Sequence, residues 1–169
     1  MKVITVANRK GGTAKTTTVV NLAYGFAQAG KRVMVIDLDN QGHVMHGLKA
    51  LGCAPQNDIG ELPISHFFTS ILKCSENIYA TDVDTNKANT NDNVTMDTLR
   101  NWCDSDCVRR HFDVVLIDTP PTLSPQLMAA LSAATDIVIP ATPLPLATGT
   151  RLDIFPYGSL PQESTLGHP

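Results

Sequence analysis

Aromatic residues are scarce in this chain, 5% of 169 residues with a single tryptophan, and charged residues reach only 17%. Neither sign of charge dominates, since 13 Lys plus Arg face 16 Asp plus Glu for a formal net charge of -3. That balance excludes an overall basic field that would hold nucleic acid or anionic lipid over the whole surface, while leaving room for a local patch. Long apolar runs are also missing. The first run, Val3 to Ala7, stops at Asn8-Arg9-Lys10, short of the roughly 7 to 15 residues of a signal-peptide core and the ~18 or more of a membrane span. The chain is therefore expected in the cytoplasm, with no membrane partner. Cysteine is confined to Cys53, Cys74, Cys103 and Cys107, which without an export signal read as reduced thiols and not as a disulfide framework. What remains is 43% hydrophobic, an ordinary globular composition that excludes a disordered tail, a collagen-like chain and a disulfide-stapled miniprotein.

Strand and helix patterns alternate along most of the chain. Lys2 to Ala7 is a β-branched strand pattern, followed by a Gly-bearing loop and a helix expected over Lys15 to Ala29. Val19, Leu22, Ala23, Phe26 and Ala27 recur there at helical steps, and Gly30 stands where a left-handed cap belongs. Val33 to Ile36 is continuously apolar, as in a strand buried on both faces, and ends at Asp37-Leu38-Asp39. A helix is expected within Pro63 to Lys73 and a brief strand over Asn77 to Ala80. Thr81 to Asn93 is nearly all polar and reads as an exposed loop. Met96, Leu99, Cys103 and Cys107 share one face of a helix, Phe112 to Ile117 is a buried strand ending at Asp118, Leu127 to Ala134 is a helix, and Ile137-Val138-Ile139 is a strand. This alternation predicts a three-layer α/β domain over residues 1–147 with a mostly parallel sheet, ligands being held at the strand C-termini. Residues 148–169 mix Gly, Pro, Ser and Thr without a period and are expected to form a divergent, irregular tail.

Asn8-Arg9-Lys10-Gly11-Gly12-Thr13-Ala14-Lys15-Thr16-Thr17 lies between a strand and a helix, where a phosphate-binding loop must sit. Small residues let backbone N–H groups converge on phosphate oxygens, and the helix N-terminus adds a favourable dipole. Lys15 is placed to reach the β- and γ-phosphates, and the Thr16 hydroxyl to ligate magnesium. The general pattern G-x-x-x-x-G-K-[ST] is not met, because Arg9 and Ala14 occupy the two glycine positions.

Lys10, Gly11, Gly12, Lys15, Thr16 and Thr17 instead resemble the deviant Walker A loop, K-G-G-x-G-K-T, of the ParA/MinD family of partition and positioning ATPases. Asp37-Leu38-Asp39-Asn40-Gln41 is similar to that family's D-x-D-P-Q segment, and Asp118-Thr119-Pro120-Pro121 to its Walker B D-x-P-P. Ala134-Thr135-Asp136, Ile137 to Pro140 and Pro143 also accord with it, so the resemblance spans about residues 2 to 147. It implies a P-loop NTPase fold and Mg-ATP hydrolysis by a nucleotide-switched homodimer serving chromosome or plasmid partition. Non-specific DNA and a partition adaptor protein are the partners it implies. By the same resemblance Lys10 reaches across the dimer to the partner's nucleotide, while Lys15 acts within its own subunit. Asp39 orients the attacking water with support from Asp37, which is grouped with the nucleotide-binding residues. Asp118 holds magnesium through its water shell, with Thr16 as the other metal residue. Gly11, Gly12, Thr13, Ala14 and the N–H groups through Thr17 form the cradle.

Three departures from the family pattern stand out. Ala14 replaces a glycine, which is tolerable if it keeps a negative φ with its methyl group turned from the phosphates. Asn40 replaces a proline, loosening the backbone after Asp39. Members of the family continue with further strands and helices that carry base contacts and a basic DNA-binding surface, whereas here only Arg151 is basic after Arg110. A shortened fold without its C-terminal strands and helices is therefore expected.

Other readings compete. A nucleotide-binding regulator or remnant without hydrolysis or DNA binding is the alternative function. An electron carrier of the nitrogenase-iron-protein type needs cysteines bridging a cluster across a dimer, and no cysteine follows Asp118. Cys103 and Cys107 are expected to pack in a core, and His43 and His46 to lie at a surface or interface, so no further metal site is expected. Asn86-Lys87-Ala88-Asn89 loosely resembles a guanine-reading N-K-x-D but lacks its aspartate and precedes Asp118, which favours adenine.

Overall fold

The computed structural model describes residues 1–39, 41–53, 70–82 and 96–141. Val33, Met34, Val35 and Ile36 are all fully buried because alternate side chains enter two different cores. Val33 and Val35 join Val19, Val20, Ala23, Val44 and Leu48 on one side of the sheet. Met34 and Ile36 join Leu99, Trp102, Phe112, Ala129 and Ala130 on the other. A strand apolar on both faces needs helices on both, which makes three layers.

The strands are β1 (Lys2–Val6), β2 (Val33–Asp37), β3 (Ser70–Lys73), β4 (Ile78–Asp82), β5 (Val114–Asp118) and β6 (Asp136–Val138). The helices are α1 (Lys15–Gln28), α2 (His43–Ala50), α3 (Met96–Asp104), α4 (Asp106–His111) and α5 (Pro125–Ala133). The sheet order is β3-β4-β2-β5-β1-β6, parallel except for the β3–β4 pair. From β1 the chain passes through α1 to β2, beyond β5; from β5 it passes through α5 to β6 on the opposite side of β1. The connections thus diverge at the C-terminal ends of β1 and β5, where an open α/β sheet forms its ligand crevice.

Most elements expected from the sequence are present within a residue or two. Helix α1 ends one residue earlier than expected in a Schellman motif: Gly30 N–H donates to Ala27 O (2.9 Å), Lys31 N–H to Phe26 O (3.0 Å), and Gly30 takes φ +74°.

Three expectations need correction. Residues 70–73, expected to end a helix, form edge strand β3, which turns through Cys74 and Ser75 into an antiparallel pair with β4. Pairing with β4 satisfies a backbone that a four-residue helical fragment would leave mostly unbonded. Thr81, expected in an exposed loop, is buried in β4, with its hydroxyl accepting the Asp37 N–H at 3.0 Å. The single helix through Cys107 is two helices: Ser105 donates to Trp102 O (2.7 Å) and caps α4 by accepting the Val108 N–H (3.4 Å). Met96, the first residue of α3, is 56% exposed, and Trp102 fills the core beside Leu99 and Cys103. The expected helix over 63–69, the loop over 83–93, Asn40, the 86–89 tetrapeptide, Pro143 and the tail over 148–169 lie outside the described residues.

Candidate nucleotide-binding site

The loop from residue 7 to residue 14 is shaped by its own side chains. Ala7 N–H still pairs with Val138 O (3.0 Å), after which Asn8 leaves the ladder. Its Oδ1 accepts the Lys10 N–H at 2.8 Å and its Nδ2 donates to Pro140 O at 2.8 Å. Thr13 is buried and donates to Lys10 O at 3.2 Å. A Cβ on Gly11 or Gly12 would meet nothing within 4 Å, and Gly12 takes φ +71°. The loop is therefore open around Gly11 and Gly12.

Ala14 corrects a sequence expectation. It caps α1 with φ +64° and ψ 30°, the left-handed region, and among the described residues it is the one non-glycine with positive φ. The chain must reverse there so that α1 can begin at Lys15, and a methyl group makes that conformation cost roughly 1–2 kcal/mol. Its carbonyl still accepts the Thr18 N–H (2.9 Å) and hydroxyl (2.8 Å).

The charged centre forms where α1 faces the ends of β2 and β5. Asp37 and Asp118 are register partners on those adjacent strands. Thr16 donates its hydroxyl to Asp118 Oδ2 at 2.6 Å, while Asp118 Oδ1 is buried without a hydrogen-bond partner. Lys15 is 8% exposed and favours the ionised Asp118. Burial dominates at Asp118 and pushes its carboxyl up to about 6; the Thr16 bond and Lys15 oppose this, and Asp39 adds to it. Burial and the facing Asp118 charge raise Asp37 to about 7.

Asp37 accepts two backbone N–H groups. Its Oδ1 accepts the Asp39 N–H (2.9 Å) and its Oδ2 the Val44 N–H (3.2 Å). It therefore ties the Asp39 turn and the first turn of α2 to the end of β2, capping a helix whose N-cap, Gly42, has no side chain. Asp39 is half-buried and begins a turn, accepting the Gln41 N–H at Oδ1 (3.2 Å) and the Gly42 N–H at its carbonyl (3.0 Å).

Lys15, Thr16, Asp118, Asp37 and Asp39 are thus brought together. Lys10 and Thr17 are exposed, and the hydrogen bonds recorded for Lys10 are made by its backbone. His43 and His46 are exposed, Cys103 is buried, and all four cysteines are free. Among the described residues no three His, Cys, Asp or Glu side chains form a metal-holding group. The donor set suits a magnesium ion bound with a nucleotide: one hydroxyl, one carboxylate oxygen with spare acceptor capacity and a buried lysine beside them.

Sequence reasoning assigned no role to Asn8, Thr81 or Thr119, which shape the site. Thr119 donates to Val6 O at 2.9 Å, fastening the end of β5 to β1. The signal available for Asn8 was an asparagine two residues ahead of a turn, the spacing of an Asx turn.

Residues 1–152 match a family model described as an AAA domain, AAA_31. The chromosome-partitioning ATPase Soj of Thermus thermophilus is 34% identical over 148 residues, covering 81% of this chain and 53% of that protein. Protein IncC of Escherichia coli is 35% identical over 148 residues, covering 83% of this chain and 41% of its own length. Among solved structures, cobyrinic acid a,c-diamide synthase of Mycobacterium smegmatis with bound ATP analogue and magnesium superposes with a TM-score of 0.64 at 29% identity, over 83% of this chain and 60% of that one. The chain spans about half the length of the curated relatives it matches. No helix among the described residues is long and apolar enough to cross a membrane.

Proposed function

The chain belongs to the ParA/MinD-type partition ATPases, a P-loop family, and from that premise we propose that it binds and hydrolyses Mg-ATP as a nucleotide-switched dimer in chromosome or plasmid partition. The observation that carries this reading is the buried Asp118 Oδ1, left without a partner beside the Thr16 hydroxyl and Lys15. A buried carboxylate oxygen is costly unless something supplies it with a positive partner.

In this reading Thr16 and Asp118 hold magnesium, Asp118 through the metal's water shell. When bound there, magnesium would neutralise charge on the nucleotide's phosphates. The backbone N–H groups from Gly11 to Thr17 surround the phosphates, and Lys15 neutralises them within the subunit. Asp39 orients the attacking water, and Asp37 acts behind it by fixing the Asp39 N–H. Lys10, exposed at the loop surface, acts across the dimer on the partner's nucleotide. Non-specific DNA and a partition adaptor are the partners proposed, and the cytoplasm is the proposed location.

A second reading, a nucleotide-binding regulator without turnover, is favoured by the positive φ of Ala14. Thermal unfolding with and without Mg-ATP, with Lys15→Ala as control, tests the site. Binding at a hundredfold excess over the dissociation constant adds about 2.7 kcal/mol of stability. A Lys15-dependent rise in midpoint supports the site, and steady-state phosphate release then separates the two readings. A cooperative transition without a shift would overturn both.

A further inference from the structure

We infer that Asn8 is a positioning residue for Lys10: it clamps the phosphate loop to the end of β6 and so sets the direction in which the Lys10 side chain leaves the loop. This rests on the proposed role of Lys10 in turnover. One carboxamide makes both bonds, accepting the Lys10 N–H at 2.8 Å and donating to Pro140 O at 2.8 Å. The Ala7 N–H to Val138 O bond sets the phase of the β1–β6 ladder. In a parallel pair the next rung would use the carbonyl two residues on, at Pro140, and the Asn8 side chain takes that carbonyl. The strand can then end at residue 7 while the loop stays attached to the sheet. Thr13 closes the other side by donating to Lys10 O at 3.2 Å, so both backbone groups of Lys10 are held while its side chain is exposed. A cation acting on a neighbouring molecule must leave its own loop in one direction, and a long side chain gains that only from a fixed backbone.

Amide hydrogen exchange, read residue by residue without nucleotide, tests the clamp in wild type, Asn8→Ala and Asn8→Asp. The Lys10 amide is expected to exchange at least about tenfold faster in Asn8→Ala, where its acceptor is gone, and at an intermediate rate in Asn8→Asp, which keeps an acceptor but cannot donate to Pro140 O. Ile4 and Val35 should be unchanged in both variants. An unchanged Lys10 rate in Asn8→Ala, or equal acceleration at Ile4 and Val35, would overturn the inference. In turnover, Asn8→Ala should lower kcat toward the Lys10→Ala level with the Kd for Mg-ATP within about threefold, and should add no loss in the Lys10→Ala background. An additive loss would overturn it. If the wild-type chain binds no nucleotide, the proposed function fails, and the exchange rates still decide the role of Asn8.

Discussion

Thr16 and Asp118, 102 residues apart, share a hydrogen bond of 2.6 Å that joins the first turn of α1 to the end of β5. The bond holds the metal-binding candidates together before any ligand arrives, and it meets half of the acceptor need of a buried carboxylate. The other oxygen of Asp118 remains without a partner.

Replacing Thr16 by Val should therefore act twice. It strips Asp118 Oδ2 of the Thr16 donor, costing about 1–3 kcal/mol of stability, and it removes the hydroxyl proposed to ligate magnesium. Calorimetric titration with ATP, with and without magnesium, should show that the metal no longer strengthens binding. A Thr16→Val chain that retains the full magnesium dependence would exclude Thr16 from the metal site.

Ala14→Gly should stabilise the protein. Relief of a left-handed alanine is worth about 1–2 kcal/mol, offset by roughly 0.5–1 kcal/mol of extra glycine entropy. A small rise in Tm is expected, with the Kd for Mg-ATP nearly unchanged because the strain is relieved with and without nucleotide. A fall in Tm would show that the methyl group contributes packing that outweighs its backbone cost.

Acidity reports on the paired aspartates. Asp37 and Asp118 are raised from 3.8 to about 7 and about 6. A carboxyl raised in the folded state stabilises the fold while protonated, so this contribution is complete below about pH 4 and disappears as pH climbs through 6 and 7. Between pH 4 and 8 the ligand-free protein should lose more of its Tm than Asp37→Asn does. Parallel pH profiles for the two would contradict the assignment.

Asp39→Ala and Lys10→Ala should each lower phosphate release by at least about a hundredfold while leaving the Kd for Mg-ATP within a few fold. Asp39→Ala with full turnover would remove the water-orienting role. Equal losses of binding and turnover in Lys10→Ala would place that lysine in its own subunit's site.

Gly47 marks the contact of α2 with α1. A Cβ there would lie 2.8 Å from Val20 Cγ2, and valine has little rotameric freedom to move aside. Gly47→Ala should cost about 1–3 kcal/mol by overpacking, despite the better helix propensity of alanine. The loss should shrink when Val20→Ala is added, and urea denaturation of the single and double variants checks it. Equal losses in both backgrounds would mean that the two side chains do not meet.

The local steps of this fold were written in the sequence. Apolar runs such as Val33 to Ile36, the helical spacing from Val19 to Ala27 and Gly30 at its end act through short-range sterics and periodicity, and their elements appear where expected. The order of Lys10, Lys15, Asp37, Asp39 and Asp118 also pointed to a candidate site, because Asp37 and Asp118 end strands, Lys15 begins a helix and Lys10 and Asp39 lie in the loops that follow strands. Pairings across the sheet were another matter. Which strand lies beside β2, how Asp37 comes to face Asp118, and that Thr81 is drawn into the sheet to receive the Asp37 N–H depend on register between distant segments. The split at Ser105 follows from a local cap bond outcompeting a continuous apolar stripe. Ala14 is the sharpest case: from sequence an alanine demands a negative φ, but the reversal between β1 and α1, anchored at both ends in the core, overrides that preference. Sequence determined the elements and the chemical groups, since these are local properties; tertiary structure decided their pairing, burial and strain, since those arise only when distant segments compete for the same space and the same hydrogen bonds.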